Sequence, residues 1–219
     1  MRGQQLAAIM IFAVTLAITN TVFAQKSKDT LRIAFADPIS VIDLAYDPKP
    51  EIALTARIVY DGLVHYDDFT GKFYPLLAKS WKRIDPKTME FDLRNDVKFH
   101  DGSEFDADDV VYTINWLKNP KTRIRFKTNY IWIDKVQKIN KYKVRIHTKR
   151  PYAVGLMRLA KSILIFPSDT HGKLKAKNTF GKKPIGTGSL KVTQVDPNKG
   201  VILVRNDEYK HGGTWKPKP

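Results

Sequence analysis

Apolar and polar positions alternate in short runs along much of this chain, broken by Gly, Pro, Asn and Asp, with one clear helical stripe near the middle. In residues 30–37, Leu31, Ile33 and Phe35 fall on one side. That period of two predicts a strand. Asp37-Pro38 closes it, because proline brings no donor to a ladder. Residues 51–61 instead carry Ile52, Ala56 and Val59 at helical spacing and stop at Gly62, a helix with a glycine end signal. From 64 to 94 the pattern returns to short strands: 64–67, a turn at 68–71, 77–84, a turn at 85–88, then 89–94. In the last of these Met89, Phe91 and Leu93 share one face, and Glu90, Asp92 and Arg94 the other. This reads as an antiparallel meander with one wet face.

The helix predicted over 107–118 is the best specified element. Asp106 is placed to cap it, and Asp108 and Asp109 put negative charge at the positive end of the helix dipole. Val110, Ile114 and Leu117 form its apolar stripe, and Asn119-Pro120 ends it. Strands are expected at 131–139 and 142–149 around an Asn140-Lys141 turn, with Tyr142, Val144 and Ile146 facing in. Pro151 opens a short helix to 160. The unbroken apolar run 163–166 predicts a strand buried on both faces. Ser168 and Asp169 are placed to cap another short helix, and the lysine-rich 173–183 reads as a loop. A closing pair of strands is expected at 186–195 and 200–205.

The ends and the charge narrow the classes of function. Residues 6–18 are apolar after a single positive charge, and Val22 and Ala24 give the small-residue pattern of a cleavage site, so residues 1–24 read as a signal peptide. The apolar core is short of the ~20 residues that cross a bilayer; a retained anchor is the alternative. There is no Cys, hence nothing to acylate and no disulfide framework. An exported, unlipidated protein of this kind fits a Gram-negative periplasm. The formal net charge is +16 over 219 residues, which favours anionic partners. Lys and Arg are nevertheless spread along the chain. The 173–183 run holds five lysines with no finger spacing or RNA-recognition motif, so no nucleic-acid partner is expected.

Catalytic chemistry finds no support in the residues. The five histidines, His65, His100, His147, His171 and His211, show no metal-ligand spacing, and His100 and His147 read as turn or surface residues. Asp106, Asp108 and Asp109 are explained by capping. Gly186-Thr-Gly188 is followed by no Gly-Lys-Ser/Thr, and no Gly-x-Ser-x-Gly occurs. No enzyme, no cofactor and no metal site is expected. Tyr60, Tyr66, Trp81, Trp116, Tyr130 and Trp132 either line an apolar cleft or fill the core.

Five blocks together resemble the family 5 extracellular solute-binding proteins, the oligopeptide, dipeptide and nickel receptors of ABC importers. They are Tyr60-Asp-Gly-Leu63; Leu77-Ala-Lys-Ser-Trp81; the stretch 91–111 containing Phe99-His-Asp-Gly102; Pro184-Ile-Gly-Thr-Gly188; and Arg205-Asn-Asp-Glu-Tyr209 with Gly212-Gly213. The resemblance implies a mixed α/β fold, a type II-like periplasmic binding protein first lobe with an inserted α/β subdomain. Residues 25–62 and 166–219 would form the lobe, and 63–165 the insert. It implies capture of a small solute, most simply a peptide, with delivery to an ABC permease by a monomeric receptor and no covalent step. Ser189-Leu190 stands where the family usually has Pro-Tyr. Family members also run longer, with their second lobe following the point where this sequence stops; the chain is therefore expected to be a fragment, a split receptor or a frameshifted product lacking that lobe. The loop after the first strand is the expected ligand-facing segment, since open α/β sheets bind ligands at strand carboxyl ends: Asp37 for an amine, Ile39 and Ile42 for apolar contact, with Ser40 and Asp43 beside them; the alternative is a turn plus core residues. The alternative to transport is a basic envelope or nucleic-acid-associated protein.

Overall fold

The computed structural model describes residues 33–209. The signal-peptide reading of 1–24, the beginning of the strand at 30–37 and the Gly212-Gly213 pair lie outside them. The described residues from Phe35 onward form one unit.

Helix α1 (Pro50–Val59) begins with proline at its first position and buries Ile52, Thr55, Ala56 and Val59. Proline costs nothing there, since that N–H has no intrahelical partner. A two-stranded ribbon follows, β1 (Val64–Tyr66) with β2 (Phe73–Pro75). Next comes a four-stranded antiparallel sheet in the order β3 (Ala78–Asp85), β4 (Thr88–Leu93), β6 (Lys143–Thr148), β5 (Ile133–Asn140). Met89, Phe91, Leu93, Val144 and Ile146 are buried, matching the alternation in sequence. The opposite face is an ion ladder. Glu90 receives Arg145 at 2.6 Å, Lys82 at 3.3 Å and Lys143 at 3.4 Å. Their stems cover it, and the Arg145 hydrogen bond holds its carboxyl below the usual range.

Helix α2 (Ala107–Lys118) matches its predicted span and packs against β5 and β6. Asp106 and Asp109 close a reciprocal capping box, satisfying two donors that a helix start would otherwise strand. Val110, Ile114 and Leu117 are buried. Helix α3 (Gly155–Lys161) starts four residues after Pro151. The segment 163–166 is buried but is not a strand. Its polar groups are met outside any ladder. Ile165 N–H donates to the Asp61 carbonyl (2.9 Å), and Phe166 N–H to the Thr113 hydroxyl (3.0 Å). An apolar run shows that a segment is buried, not what it bonds to.

Helix α4 (Ser168–Lys173) lies next. Ser168 is its first residue rather than its cap. The capping role falls to Asp109 of α2, which accepts Ser168 N–H at 2.7 Å. The lysine-rich stretch expected as a loop contains a 3-10 turn at Lys177–Lys182. The hairpin β7 (Leu190–Asp196) and β8 (Gly200–Arg205) closes the described chain, with β7 against α1. Residues 33–37 are exposed and carry no strand.

Candidate functional site

The loop expected to face a ligand divides into an outer and an inner part. Asp37 and Ser40 are exposed, and Asp37 pairs with Lys49 at 3.1 Å. Ile39 and Ile42 are buried, Ile42 completely. Ile42 is fixed at both polar groups: its N–H donates to the Gly181 carbonyl (2.8 Å), and its carbonyl accepts the Tyr60 hydroxyl (3.1 Å).

Asp43 is also fully buried. Its Oδ1 accepts the N–H groups of Ala45 (2.9 Å) and Tyr46 (3.4 Å), while Oδ2 has no hydrogen-bond partner. Burial raises its pKa to about 7, against the lowering effect of those two N–H groups. The side chain shapes the next turn rather than reaching solvent.

That turn connects to a second loop. The Ala45 carbonyl accepts Arg125 N–H at 2.8 Å. Residues 119–131 run from the end of α2 through a 3-10 turn at Lys127–Asn129. Lys127 ties the loop closed, its ammonium on the carbonyls of Pro120 (2.8 Å) and Thr122 (2.6 Å). Asn129 is held by the Arg158 guanidinium (3.0 Å) and the Trp132 indole (2.7 Å). Ile124 packs against the core while Arg123, Arg125 and Phe126 are exposed. Phe126, 62% exposed, is the one non-glycine residue with positive φ (45°) among those described. A bulky side chain in that region is strained. Residues 118–127 hold five cations and no acid. The sequence reading missed this run, which is denser than 173–183.

The aromatic residues do not share one cleft. Trp132 stacks on Tyr152 at 4.8 Å and Tyr66 meets Phe73 at 4.8 Å. Tyr60 and Trp116 join Phe166, Phe180 and His171 in a buried cluster. His171 is fully buried, stacked on Phe166 at 4.7 Å. Tyr112 donates its hydroxyl to Nδ1 at 2.6 Å, and Nε2 has no partner. Burial first, then Lys177, lowers its pKa to about 4. Among the described residues no cluster of His, Cys, Asp or Glu could hold a metal ion.

Four of the five sequence blocks meet in a latch. Thr187 donates to Asp61 at 2.9 Å, both buried. Gly188 N–H donates to the Val59 carbonyl at 2.9 Å, and the Gly188 carbonyl accepts from Asn206 Nδ2 (3.0 Å) and His100 Nε2 (3.0 Å). Gly186 N–H donates to His100 Nδ1 at 3.3 Å, so both ring nitrogens of a neutral imidazole are used. His100 thus lies in a turn, as expected, and its ring serves as a clasp. A Cβ on Gly186 would stand 2.0 Å from the Val59 carbonyl oxygen, and one on Gly188 2.4 Å from that of Ile58. The close approach of backbones demands glycine at both.

Residues 72–219 match the family model of the bacterial extracellular solute-binding proteins, family 5 Middle. The chain belongs to this family. Among family 5 relatives, the nickel-binding periplasmic protein of Escherichia coli K12 is 32% identical over 196 residues, covering 85% of this chain and 35% of its own length. The di/tripeptide-binding protein 2 of Pseudomonas aeruginosa is 28% identical, over 75% of this chain and 34% of its own. The crystal structure of NikZ from Campylobacter jejuni in complex with Ni(L-His) superposes with a TM-score of 0.73 at 32% identity, over 83% of this chain and 36% of that one. This family 5 chain therefore spans about a third of the length of the relatives it matches. Its mixed α/β architecture is part of the first lobe of a type II periplasmic binding protein. The two curated relatives are named for what they bind, nickel and di- or tripeptides.

Proposed function

We propose that this chain is the first-lobe portion of a periplasmic solute-binding component of a peptide-type ABC importer. It captures a small solute, a peptide or a similar polar molecule, and delivers it to an inner-membrane permease. The observation that carries this is the pairing of loops 37–47 and 119–131 through the Arg125–Ala45 hydrogen bond, in a chain whose relatives are nickel- and peptide-binding proteins. Asp37 and Ser40 face the solute, and Ile39, Ile42 and Asp43 hold the loop that presents them. Rigid loops of this kind bind through groups already in place, which lowers the ordering cost of association. The domain division follows: 25–62 and 166–219 as the lobe, 63–165 as the insert, with residues 1–24 removed on export and the receptor monomeric.

Thermal unfolding of the full chain with pools of di- and tripeptides, and with nickel plus L-histidine, tests the reading, since a bound ligand raises stability by mass action. A saturable rise in melting temperature supports it. Steeply salt-dependent retention on DNA without any solute effect would favour the basic envelope or nucleic-acid-associated protein instead.

A further inference from the structure

One end of the four-stranded sheet carries a pocket of about 420 Å³. It lies where the β3–β4 turn, the beginning of β5 and the end of β6 come together, and none of its lining residues belongs to loops 37–47 or 119–131. Thr88, His147 and Lys135 are cross-strand neighbours in one row of that sheet. The walls are fixed by hydrogen bonds. Asp85 Oδ1 accepts Lys87 N–H at 2.7 Å, the Lys87 carbonyl accepts Thr148 N–H at 2.8 Å, and Lys149 N–H donates to the Trp132 carbonyl at 3.1 Å. The His147 ring is held at both nitrogens, with Nδ1 3.1 Å from the Thr88 hydroxyl and Nε2 2.7 Å from Gln137 Oε1. Lys87, Lys135 and Lys149 stand exposed around this frame. Among the described residues none of their ammonium groups has an ion pair. Elsewhere on the sheet, Lys82 and Lys143 spend theirs on Glu90 and Asp92. Like charges gathered without partners repel one another until an anion comes between them.

We propose that this pocket binds a small phosphate-type anion, with Lys87, Lys135 and Lys149 as its ammonium donors. An ammonium is a compact charge with three rotatable donors, which suits a tetrahedral oxyanion. A planar carboxylate is better matched by a guanidinium fork, and no Arg lines the pocket. No aliphatic or aromatic hydrocarbon side chain lines it either, so the ligand needs no apolar part. Of the two acids in the lining, Asp85 is turned to the backbone of the turn, and Asp134 stands exposed. Three ammonium groups on one frame are best used by an anion that carries more than one charge.

Calorimetry on the full chain is the test, with pyrophosphate and citrate as probes, beside flotation with phosphatidylglycerol and phosphatidylcholine vesicles. Pyrophosphate is expected to bind saturably, more tightly than citrate, and less tightly as salt is added. Lys87→Ala with Lys135→Ala and Lys149→Ala weakens it by about tenfold or more. Lys175→Ala with Lys182→Ala and Lys183→Ala removes the same charge elsewhere and leaves it within about twofold. All six lysines are exposed, and melting curves of each variant check folding. The two arms separate the sources of the phosphate group. Pyrophosphate binding that is lost in the pocket variant assigns a soluble phosphate compound. Selective binding to phosphatidylglycerol vesicles, lost in the same variant and without pyrophosphate binding, assigns a lipid headgroup. Binding of neither probe, equal loss in the lysine control, or citrate bound as tightly as pyrophosphate overturns the proposal.

Discussion

The Thr187 hydroxyl donates to the Asp61 carboxylate inside the protein, 2.9 Å apart and 126 residues distant in sequence. The ordinary cost of removing a hydrogen bond to a charged, buried acceptor is about 1.5–3 kcal/mol. Thr187→Val keeps the shape and deletes the donor, so it is expected to lower unfolding free energy by that amount in urea titration. Thr187→Ser restores most of it. Equal stability of the Val variant and the parent would show that Asp61 is satisfied without Thr187.

Gly186 and Gly188 carry the steric half of the same latch. With a Cβ only 2.0 Å from the Val59 carbonyl oxygen, Gly186→Ala forces α1 and the 184–188 segment apart. The expected loss is at least ~3 kcal/mol, the upper part of the range for single substitutions. Gly102→Ala is the comparison: its φ is +88°, but a Cβ would meet nothing within 4 Å, so the loss is about 1 kcal/mol from backbone alone.

Asp43 gives the protein a pH response. Its folded pKa is raised to about 7 from 3.8, so the folded state holds this proton more tightly than the unfolded chain does. The stability it contributes is complete below pH ~4 and is lost as pH rises through 7. Asp43→Asn keeps an acceptor for Ala45 and Tyr46 N–H. It should flatten that decline and make the variant more stable than the parent at pH 8. A variant whose pH profile parallels the parent's would rule out Asp43 as the source.

His171 acts in the opposite sense. Its folded pKa is lowered to about 4 from 6.5, so the unfolded chain takes the proton first, and stability falls as pH drops from 6.5 toward 4. In an Asp43→Asn background this decline is expected to stand alone. Adding His171→Phe, which keeps a ring in the aromatic cluster, should abolish it. Chemical denaturation at pH 4.5 and 7.5 measures both.

Phe126 trades backbone strain for an exposed ring. Phe126→Gly relieves a left-handed φ of 45° at little packing cost. A gain of about 1 kcal/mol in stability is expected, read from urea titration of variant and parent. A destabilised glycine variant would mean that the ring is held by contacts worth more than the strain.

Local chemistry was readable from the sequence and distant pairing was not. Helix α2 was legible because its cap, its acidic first turn and its apolar stripe all lie within a dozen residues. The alternation in β4 and β6 fixed which face of the sheet is wet. Nothing local tells that Asp109 bonds Ser168, or that Thr113 takes the place of a strand neighbour for Phe166. The family blocks could be recognised, but their meeting at Asp61, His100 and Gly188 depends on tertiary contact. At the candidate site, the loop around Asp37 was proposed from its position after a predicted strand, and residues 33–37 carry no strand. Asp43 read as a polar contact because residue type does not say which way a carboxylate turns. Phe126 escaped notice because a positive φ on an aromatic residue has no signature in sequence.

The Asp61–Thr187 tie also sets a schedule for the newborn polypeptide. Synthesis at about 5–20 residues per second needs roughly 6–25 s to cover the 126 residues between them. Throughout that interval the latch-facing side of α1 has no mate. Burial of that side of α1 therefore waits for residues 186–188 to pack against it.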